Sequence, residues 1–383
     1  MNCDYTRLPH VALPNGVRMP ILGLGATHSG GYNHDAVVSA LSECNCRLLD
    51  TARRYATEPF IAASIRASGV PRDRVFIVTK LWPMDFGFDS TLDAFEKSCQ
   101  RLNTTYVDLY LVHMPLVPKC LNRDPDNVLR ETWRAMETLL EQGRCRAIGV
   151  SNYDVPDLKR LLSHARIRPH VNQCEFNPHY YSPELLRFCR ENDIVFAGYG
   201  PLAKGRVLSE PTVRRIAEKH RKTPAQICIR WSIQNGVPAI PKSTKIKRIR
   251  ENVQVFDFTL TSDDMRELSA LRSDAHKSFH PEHMQQTIHL PDGYKMALAK
   301  PTNHQPPRLQ IQPIGGAQEN AQLAHSMIAW SGIETGGEAC RKDSCKKCAL
   351  ATKHYAPQVN AIRAAPTLTD ILALNARRGI DLK

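Results

Sequence analysis

The sequence predicts an α/β protein built on a closed (β/α)8, or TIM, barrel, and three observations predict it. Short, continuously apolar runs recur eight times between residues 20 and 270. Amphipathic helical stretches separate them, and polar residues capable of chemistry stand where the apolar runs end. Continuous apolar strands imply a parallel sheet covered on both faces, and eight strand-helix units in about 250 residues match the size of such a barrel.

In chain order, "HVALPNGVRMP" places Asn15-Gly16 between two short apolar segments, which predicts a β-hairpin able to plug the floor of the barrel. The eight strands are then "ILGLG", "RLLDTA", "VFIVTKL", "VDLYLVHM", "AIGVSN", "VNQCEF", "IVFAGYG" and "PAIPKS". "STLDAFEKSCQRL" and "DNVLRETWRAMETLLEQG" are representative of the helices between them. A doubly wound open sheet is the competing architecture, but "GLGATH" lacks the third glycine of a dinucleotide fingerprint, His28 standing in its place. The expected domains are a barrel over residues 1–270 and a C-terminal extension over 271–383.

Composition narrows the function classes. The 383 residues are 42% hydrophobic, enough for a large core, and carry a formal charge of +13. Such a charge suits nucleic acid, an anionic membrane or a phosphorylated ligand, yet no aromatic-basic interleaving of the single-strand binders is present. Neither a signal peptide nor a membrane-length apolar segment is found, so the expectation is a cytoplasmic monomer acting on small molecules, with no nucleic-acid or membrane partner. Cysteines such as Cys99, Cys174, Cys189 and Cys228 lie singly in apolar segments, as reduced core thiols do.

Asp50, Lys80, His113, Ser151, Asn152, Gln173, Tyr199 and Lys242 all fall at or just beyond strand ends. In a barrel those ends meet on one face, where barrel enzymes keep their active sites. Singly, each has a structural explanation: Asp50 as a helix cap, Lys80 as a snorkelling side chain, His113 as a core histidine. Together with Tyr55 they suggest chemistry. An ammonium near a phenol favours the phenolate and lowers its pKa, so Lys80, held by Asp50, would tune Tyr55 as a general acid. A neutral His113 would donate to the substrate oxygen and orient it. The set suits protonation of an oxygen that becomes an alkoxide, as in carbonyl reduction.

These segments resemble those of the aldo-keto reductases over residues 8–270. "DTARRYATE" resembles the segment carrying that family's catalytic aspartate and tyrosine, "VTKLWP" the one with its lysine, and "LYLVHMP" the one with its histidine. "GVSNY", "VNQCEFNP", "GYGPL" and "IPKSTKIKRIREN" resemble its nicotinamide-cofactor segments in order and spacing. The resemblance implies bound NADPH and reversible reduction of aldehydes or ketones. It implies that Ser151, Asn152 and Gln173 hold the nicotinamide carboxamide and that Tyr199 stacks on the ring. "PLAKGRVL", with Leu202 and Lys204 after Gly200, would fold over the pyrophosphate. Lys242, Ser243, Thr244 and Arg248 would contact the adenosine 2'-phosphate, and Glu251 and Asn252 would face the adenine.

The phosphate end has its own physical argument. "PKSTKIKRIREN" enters a helix with Lys242, Lys245, Lys247 and Arg248 near its start, where cations oppose the macrodipole unless an anion sits among them. A solvated basic turn is the alternative. Departures from the family pattern concern the substrate: Thr27 and Met114 stand where tryptophans are common, leaving Trp82 as the aromatic wall of the substrate pocket. Gly200 replaces a serine. Arg53 and Arg54, flanking the tyrosine, either attract an anionic substrate or are merely solvated.

Beyond residue 270 the resemblance ends, and a tail rich in proline, glutamine and histidine reads as largely irregular and mostly disordered. Cys340, Cys345, Cys348 and His354 have spacings compatible with zinc, and an iron-sulfur site would lack its fourth cysteine; an unliganded basic segment is the expectation. "PTLTDILALNARRGI" reads as one amphipathic helix. An NADPH-binding accessory or redox-sensing protein acting through the tail is the alternative function, and a tail-centred zinc or nucleic-acid module a further one.

Overall fold

The structure, a computed structural model, describes residues 9–27 and 31–279 and the backbone of two strands at 294–298 and 309–313. The chain divides into two compact units, Met1–Met327 and Ile328–Lys383. The candidate zinc ligands Cys340, Cys345, Cys348 and His354, the terminal amphipathic stretch and His28 lie outside the described residues.

Strands β1 (His10–Ala12) and β2 (Arg18–Pro20) form the antiparallel hairpin, turning at Asn15-Gly16, where Gly16 has a φ of +82°. The barrel strands follow: β3 (Leu24–Gly25), β4 (Leu48–Asp50), β5 (Phe76–Leu81), β6 (Val107–Val112), β7 (Cys145–Ser151), β8 (Val171–Glu175), β9 (Val195–Tyr199) and β10 (Ala239–Ile240). They lie parallel in chain order, and the bridges Leu22 to Ala239 and Gly25 to Lys242 close the sheet on itself. The (β/α)8 barrel read from the sequence is the observed fold.

The helices are α1 (His34–Ser42), α2 (Glu58–Ser68), α3 (Phe88–Leu102), α4 (Pro125–Glu141), α5 (Val155–Leu162), α6 (Pro183–Glu191), α7 (Pro211–His220), α8 (Pro224–Gln234), α9 (Ile246–Asn252) and α10 (Ser262–Ser269). Their starts are written locally. Pro125, Pro183, Pro211 and Pro224 stand at the first helical position, and Asp154, Thr223 and Thr261 close capping boxes with the residue three further on. Two helices rather than one join β9 to β10: α7 ends at Arg221, whose φ is +53°, and Thr223-Pro224 caps and starts the next.

Strand periodicity sorts the side chains into two cores. Ile77, Leu81, Tyr110, Val112, Ile148, Val150, Cys174 and Phe196 point outward to the helices. Phe76, Val78, Leu109, Leu111, Ala147, Val171, Ala197 and Ile240 point inward, and Leu13 and Met19 of the hairpin segment pack against them. The hairpin thus plugs the barrel floor, with Asn15 donating to Arg146 O at 2.8 Å. Gly149 belongs to the inward series for steric reasons: a Cβ there would lie 2.4 Å from Val171 O and 2.8 Å from Leu111 Cδ2. Cys46, Cys99, Cys145, Cys174, Cys189 and Cys228 are buried free thiols, and Cys44 is a half-buried one. Among the described residues no helix is long and apolar enough to cross a membrane, and no group of His, Cys, Asp or Glu is arranged to hold a metal.

Within the stretch expected to be irregular, β11 (Tyr294–Leu298) pairs antiparallel with β12 (Leu309–Pro313). Tyr294, Met296 and Leu298 alternate with polar or small residues, as do Leu309 and Ile311, which is a strand pattern.

Candidate active site

The inward parity of each strand continues past the apolar layers and ends in polar side chains. Two residues above Leu48 is Asp50, above Val78 is Lys80, above Leu111 is His113, above Gly149 is Ser151, above Val171 is Gln173 and above Ala197 is Tyr199. The register pairs Ser151 with Gln173, whereas Lys80 pairs with Leu111, two residues below His113. The upper part of the barrel interior is therefore polar because the sequence switches from apolar to polar at the C-terminal ends of six strands.

Lys80, 1% exposed, donates to Asp50 Oδ1 at 2.7 Å, Asp50 Oδ2 at 2.8 Å and Thr51 O at 3.0 Å. Its three protons are all engaged. Burial pushes its pKa down, and Asp50 opposes that. Tyr55 lies in the turn Arg53–Tyr55 that follows β4, and its ring centroid is 5.2 Å from Lys80 Nζ. The Tyr55 hydroxyl and His113 Nε2 are 3.5 Å apart, and the imidazole meets Trp82 edge-on at 5.3 Å between ring centroids.

The electrostatics differ from the sequence expectation in one respect. Burial, then the nearby Asp50 carboxylate, pushes the Tyr55 phenol well above its ordinary range, and Arg54 is the cation that opposes them. Lys80 has little charge to offer because Asp50 neutralises it at hydrogen-bond distance. The phenol is accordingly protonated throughout the neutral range.

The expected cofactor residues divide into a wall and a rim. In the wall, Ser151 donates to Gln173 O at 2.7 Å, and Asn152 donates to His113 O at 2.9 Å and Ser151 Oγ at 3.1 Å. Tyr199 donates its hydroxyl to Asn152 Oδ1 at 2.8 Å. Asn152 has a φ of +61°, a conformation asparagine tolerates better than most residues. Gln173 turns its amide nitrogen to Asp50 Oδ2 at 2.8 Å, a contact spanning 123 positions that sequence reading did not contain. Gly200, with a φ of +63°, turns the chain toward half-buried Leu202 and exposed Lys204. On the rim, Lys242, Ser243 and Thr244 are half-buried between β10 and α9, and Arg248 is exposed in the first turn of α9. Glu251 is engaged elsewhere, accepting from Thr223 Oγ1 at 2.7 Å, and Asn252 is buried.

Of the expected substrate residues, Trp82 and Met114 pack together, joined by Met84, Leu116 and Phe279, while Thr27 is half-buried in the loop after β3. Phe279 escaped sequence reading because it lies beyond the last helix. The segment carrying it is tied down: Ser278 donates from N at 2.9 Å and from Oγ at 2.7 Å to the buried Glu175 carboxylate, and His276 lies 4.5 Å from His179, ring to ring. A buried glutamate ending a strand was the available signal that something polar returns to it.

The arrangement offers a protonated phenol and an imidazole over a buried ion pair, an amide-hydroxyl wall on one side and an aromatic-thioether wall on the other. The family model for the aldo/keto reductase family matches residues 22–273. An uncharacterized oxidoreductase of Caenorhabditis elegans is 46% identical over 289 residues, covering 76% of this chain and 89% of that protein. The glyoxal reductase of Bacillus subtilis is 41% identical over 276 residues, covering 72% of this chain and 96% of that protein. Among solved structures, an aldo-keto reductase of Bombyx mori in complex with NADP superposes with a TM-score of 0.67 at 30% identity, over 74% of this chain and 98% of that one. The family model spans the closed barrel and the polar layer at its mouth, and the chain belongs to the aldo/keto reductase family.

Proposed function

We propose that this protein reduces an aldehyde or ketone to the alcohol with NADPH, Tyr55 being the general acid. The observation that carries the reading is the approach of the Tyr55 hydroxyl and His113 Nε2 to 3.5 Å above the Lys80-Asp50 pair, so that one carbonyl oxygen can meet both. Membership of the family and the NADP-bound relative support the cofactor.

The residues present fit a nicotinamide dinucleotide. Asn152 is locked by Tyr199 and by His113 O, which presents a fixed polar edge beside the Tyr199 ring, and the rim from Lys242 to Arg248 is basic. Ser151, Asn152, Gln173 and Tyr199 would hold the nicotinamide end; Gly200, Leu202 and Lys204 would border the pyrophosphate, and Lys242, Ser243, Thr244 and Arg248 the 2'-phosphate. When bound, the cofactor supplies the hydride to the carbonyl carbon.

The chain's own residues do the rest. His113 donates from Nε2 and orients the carbonyl oxygen. As charge develops there, Tyr55 passes it the hydroxyl proton, and the loss is made good from solvent. Trp82, Met114 and Phe279 exclude water from the reacting carbon. Lys80 and Asp50 keep the layer beneath the Tyr55 ring rigid.

The test is loss of NADPH absorbance with a panel of aldehydes, dicarbonyls and ketones, glyoxal included because of the Bacillus relative. Tyr55→Phe is expected to lower kcat about 100-fold to 10,000-fold while the Kd for NADPH stays within about twofold. A variant within threefold of the parent rate removes Tyr55 from the role. Tight NADPH binding without turnover of any carbonyl favours the redox-sensing alternative.

A further inference from the structure

Tyr55 stands on a loop that leaves β4 at Thr51 and enters α2 at Thr57, and the two threonines at its ends are joined. Thr51 Oγ1 and Thr57 Oγ1 are 2.7 Å apart, and Thr57 Oγ1 donates to Ala26 O at 2.8 Å. All three residues are buried. A carbonyl oxygen only accepts, so the single Thr57 hydroxyl proton goes to Ala26 and Thr51 donates to Thr57. The chain of bonds runs on into the buried ion pair: Ala26 N donates to Asp50 O at 2.8 Å, and Thr51 O accepts from Lys80 Nζ at 3.0 Å. Between the threonines the backbone is tight. Tyr55 N donates to Ala52 O at 3.0 Å, and Ala56, directly after the tyrosine, has a φ of +53°, a left-handed conformation that alanine disfavours. Arg53 of the same turn faces outward and pairs with Asp85 at 3.0 Å, whereas Arg54 is buried, its guanidinium carbon 5.2 Å from the centre of the Trp82 ring.

We propose that this hydroxyl chain sets the position of the Tyr55 phenol over the Lys80-Asp50 pair, with Thr57 as a positioning residue for the proton transfer. The inference rests on the reading of Tyr55 as general acid and deepens it. Three observations support it. Threonine is a favoured N-cap, and Thr57 stands at the N-cap position of α2, yet its hydroxyl makes no capping bond and is turned to Ala26 instead. A helix start that gives up its cap serves something other than the helix. Second, a left-handed alanine persists only where its surroundings over-determine the backbone, and hydroxyls six positions apart that close the loop on Ala26 do so. Third, the same bonds tie the tyrosine's loop to Asp50 and Thr51, the two residues that hold Lys80, so that acid and ion pair share one frame. The Tyr55 hydroxyl and His113 Nε2 are 3.5 Å apart, and a displacement of about 1 Å in such an arrangement can cost about 100-fold in rate.

The experiment replaces Thr57 with valine, which keeps the branched shape and removes the hydroxyl. With the full-length protein, NADPH and the carbonyl compound of the panel that turns over fastest, kcat per folded molecule is expected to fall about tenfold to a hundredfold, while KM for that compound and Kd for NADPH stay within about threefold. Thr57→Ser, which restores the donor, should recover most of kcat. In a Tyr55→Phe background Thr57→Val should cost nothing further, because it acts through the phenol. Should Thr57→Val not fold, Thr51→Val, which leaves the bond to Ala26 in place, is expected to lose about threefold to tenfold in kcat with the same dependence on Tyr55. A fall in Tm with kcat per folded molecule unchanged, or an equal loss with and without the Tyr55 hydroxyl, overturns the proposal. Fluorine NMR of protein carrying 3-fluorotyrosine separates the two readings, the Tyr55→Phe spectrum assigning the Tyr55 line. If no carbonyl is reduced and that line moves in Thr57→Val and not in Thr57→Ser, the positioning stands and the reductase reading falls; a line unmoved in Thr57→Val sinks the positioning.

Discussion

Two buried carboxylates sit at opposite ends of this barrel, and their surroundings separate structure from chemistry. Near the floor, Asp108 accepts from Arg72 at 2.9 Å, Arg146 at 3.0 Å and Ile77 N at 2.9 Å. Both arginines are partly exposed, so their charges are shared with water, and every contact ends within the wall. At the mouth, Asp50 accepts from Lys80 and Gln173, both fully buried, and above them stand Tyr55 and His113. A buried ion pair by itself is weak evidence of purpose. What differs is continuity: the Asp50 pair is followed by Tyr55 and His113, whereas the contacts of Asp108 stay among β5, β6, β7 and the turn before β5.

The largest effect tests the mouth. Lys80→Met leaves Asp50 with Gln173 as its remaining side-chain donor, and removal of one partner from a buried pair typically costs about 3–5 kcal/mol. The variant should therefore lose both stability, read from urea unfolding, and kcat, by about 100-fold or more. Loss of stability with kcat retained would make the mouth pair equivalent to the floor and break the contrast.

Asp108→Asn is the matching change at the floor. It weakens charged hydrogen bonds worth roughly 1.5–3 kcal/mol, so the unfolding midpoint should fall, while kcat and KM stay within about twofold. A kinetic defect as large as that of Lys80→Met would show that the two ends are coupled through the strands.

Next in size is Arg248, which lies on the rim and takes no part in either pair. NADPH and NADH differ by one phosphate, so discrimination must come from groups that meet that dianion, and a guanidinium does so through two hydrogen bonds. Arg248→Ala should weaken NADPH binding about tenfold to a hundredfold in a fluorescence titration and leave NADH binding nearly unchanged. Equal losses for both cofactors would move the 2'-phosphate away from Arg248.

The contrast between floor and mouth was largely legible in the sequence because strand parity is a local property. Val78 and Lys80, or Leu48 and Asp50, are two positions apart, so an apolar layer followed by a polar one can be read directly. The start of α8 at Thr223-Pro224 is also written locally, as a proline and a capping box. Contacts between distant positions were not legible. Gln173 reaches Asp50 across the barrel, and Ser278 returns to Glu175 over 103 positions, with no periodicity to announce either. The fates of Arg53 and Arg54 depend on the direction of a three-residue turn, which composition does not specify.

The smallest expected effect concerns a third carboxylate, Asp264, which lies outside the barrel and extends the floor's logic to the helical layer. It caps the start of α10, accepting from Thr261 N at 3.0 Å, and takes Lys219 at 2.9 Å and His220 at 2.7 Å from α7. Burial pushes its carboxyl up, but the hydrogen bonds from His220, Lys219 and Thr261 together outweigh that and hold it well below the usual carboxylate range. A folded-state pKa below the unfolded one means that the native protein binds fewer protons than the unfolded chain as pH falls through the carboxylate region. The stabilisation is complete above about pH 4, the ordinary value for aspartate, and is lost progressively below it. Asp264→Asn removes the titrating group, so the gap in Tm between parent and variant should be widest near pH 6 and shrink toward pH 3. A gap independent of pH would mean that Asp264 acts only as a neutral cap, as the asparagine also does. Activity per folded molecule should not change at any pH in this series, since α7 and α10 pack on the far side of the wall from Tyr55 and contribute no group to the mouth.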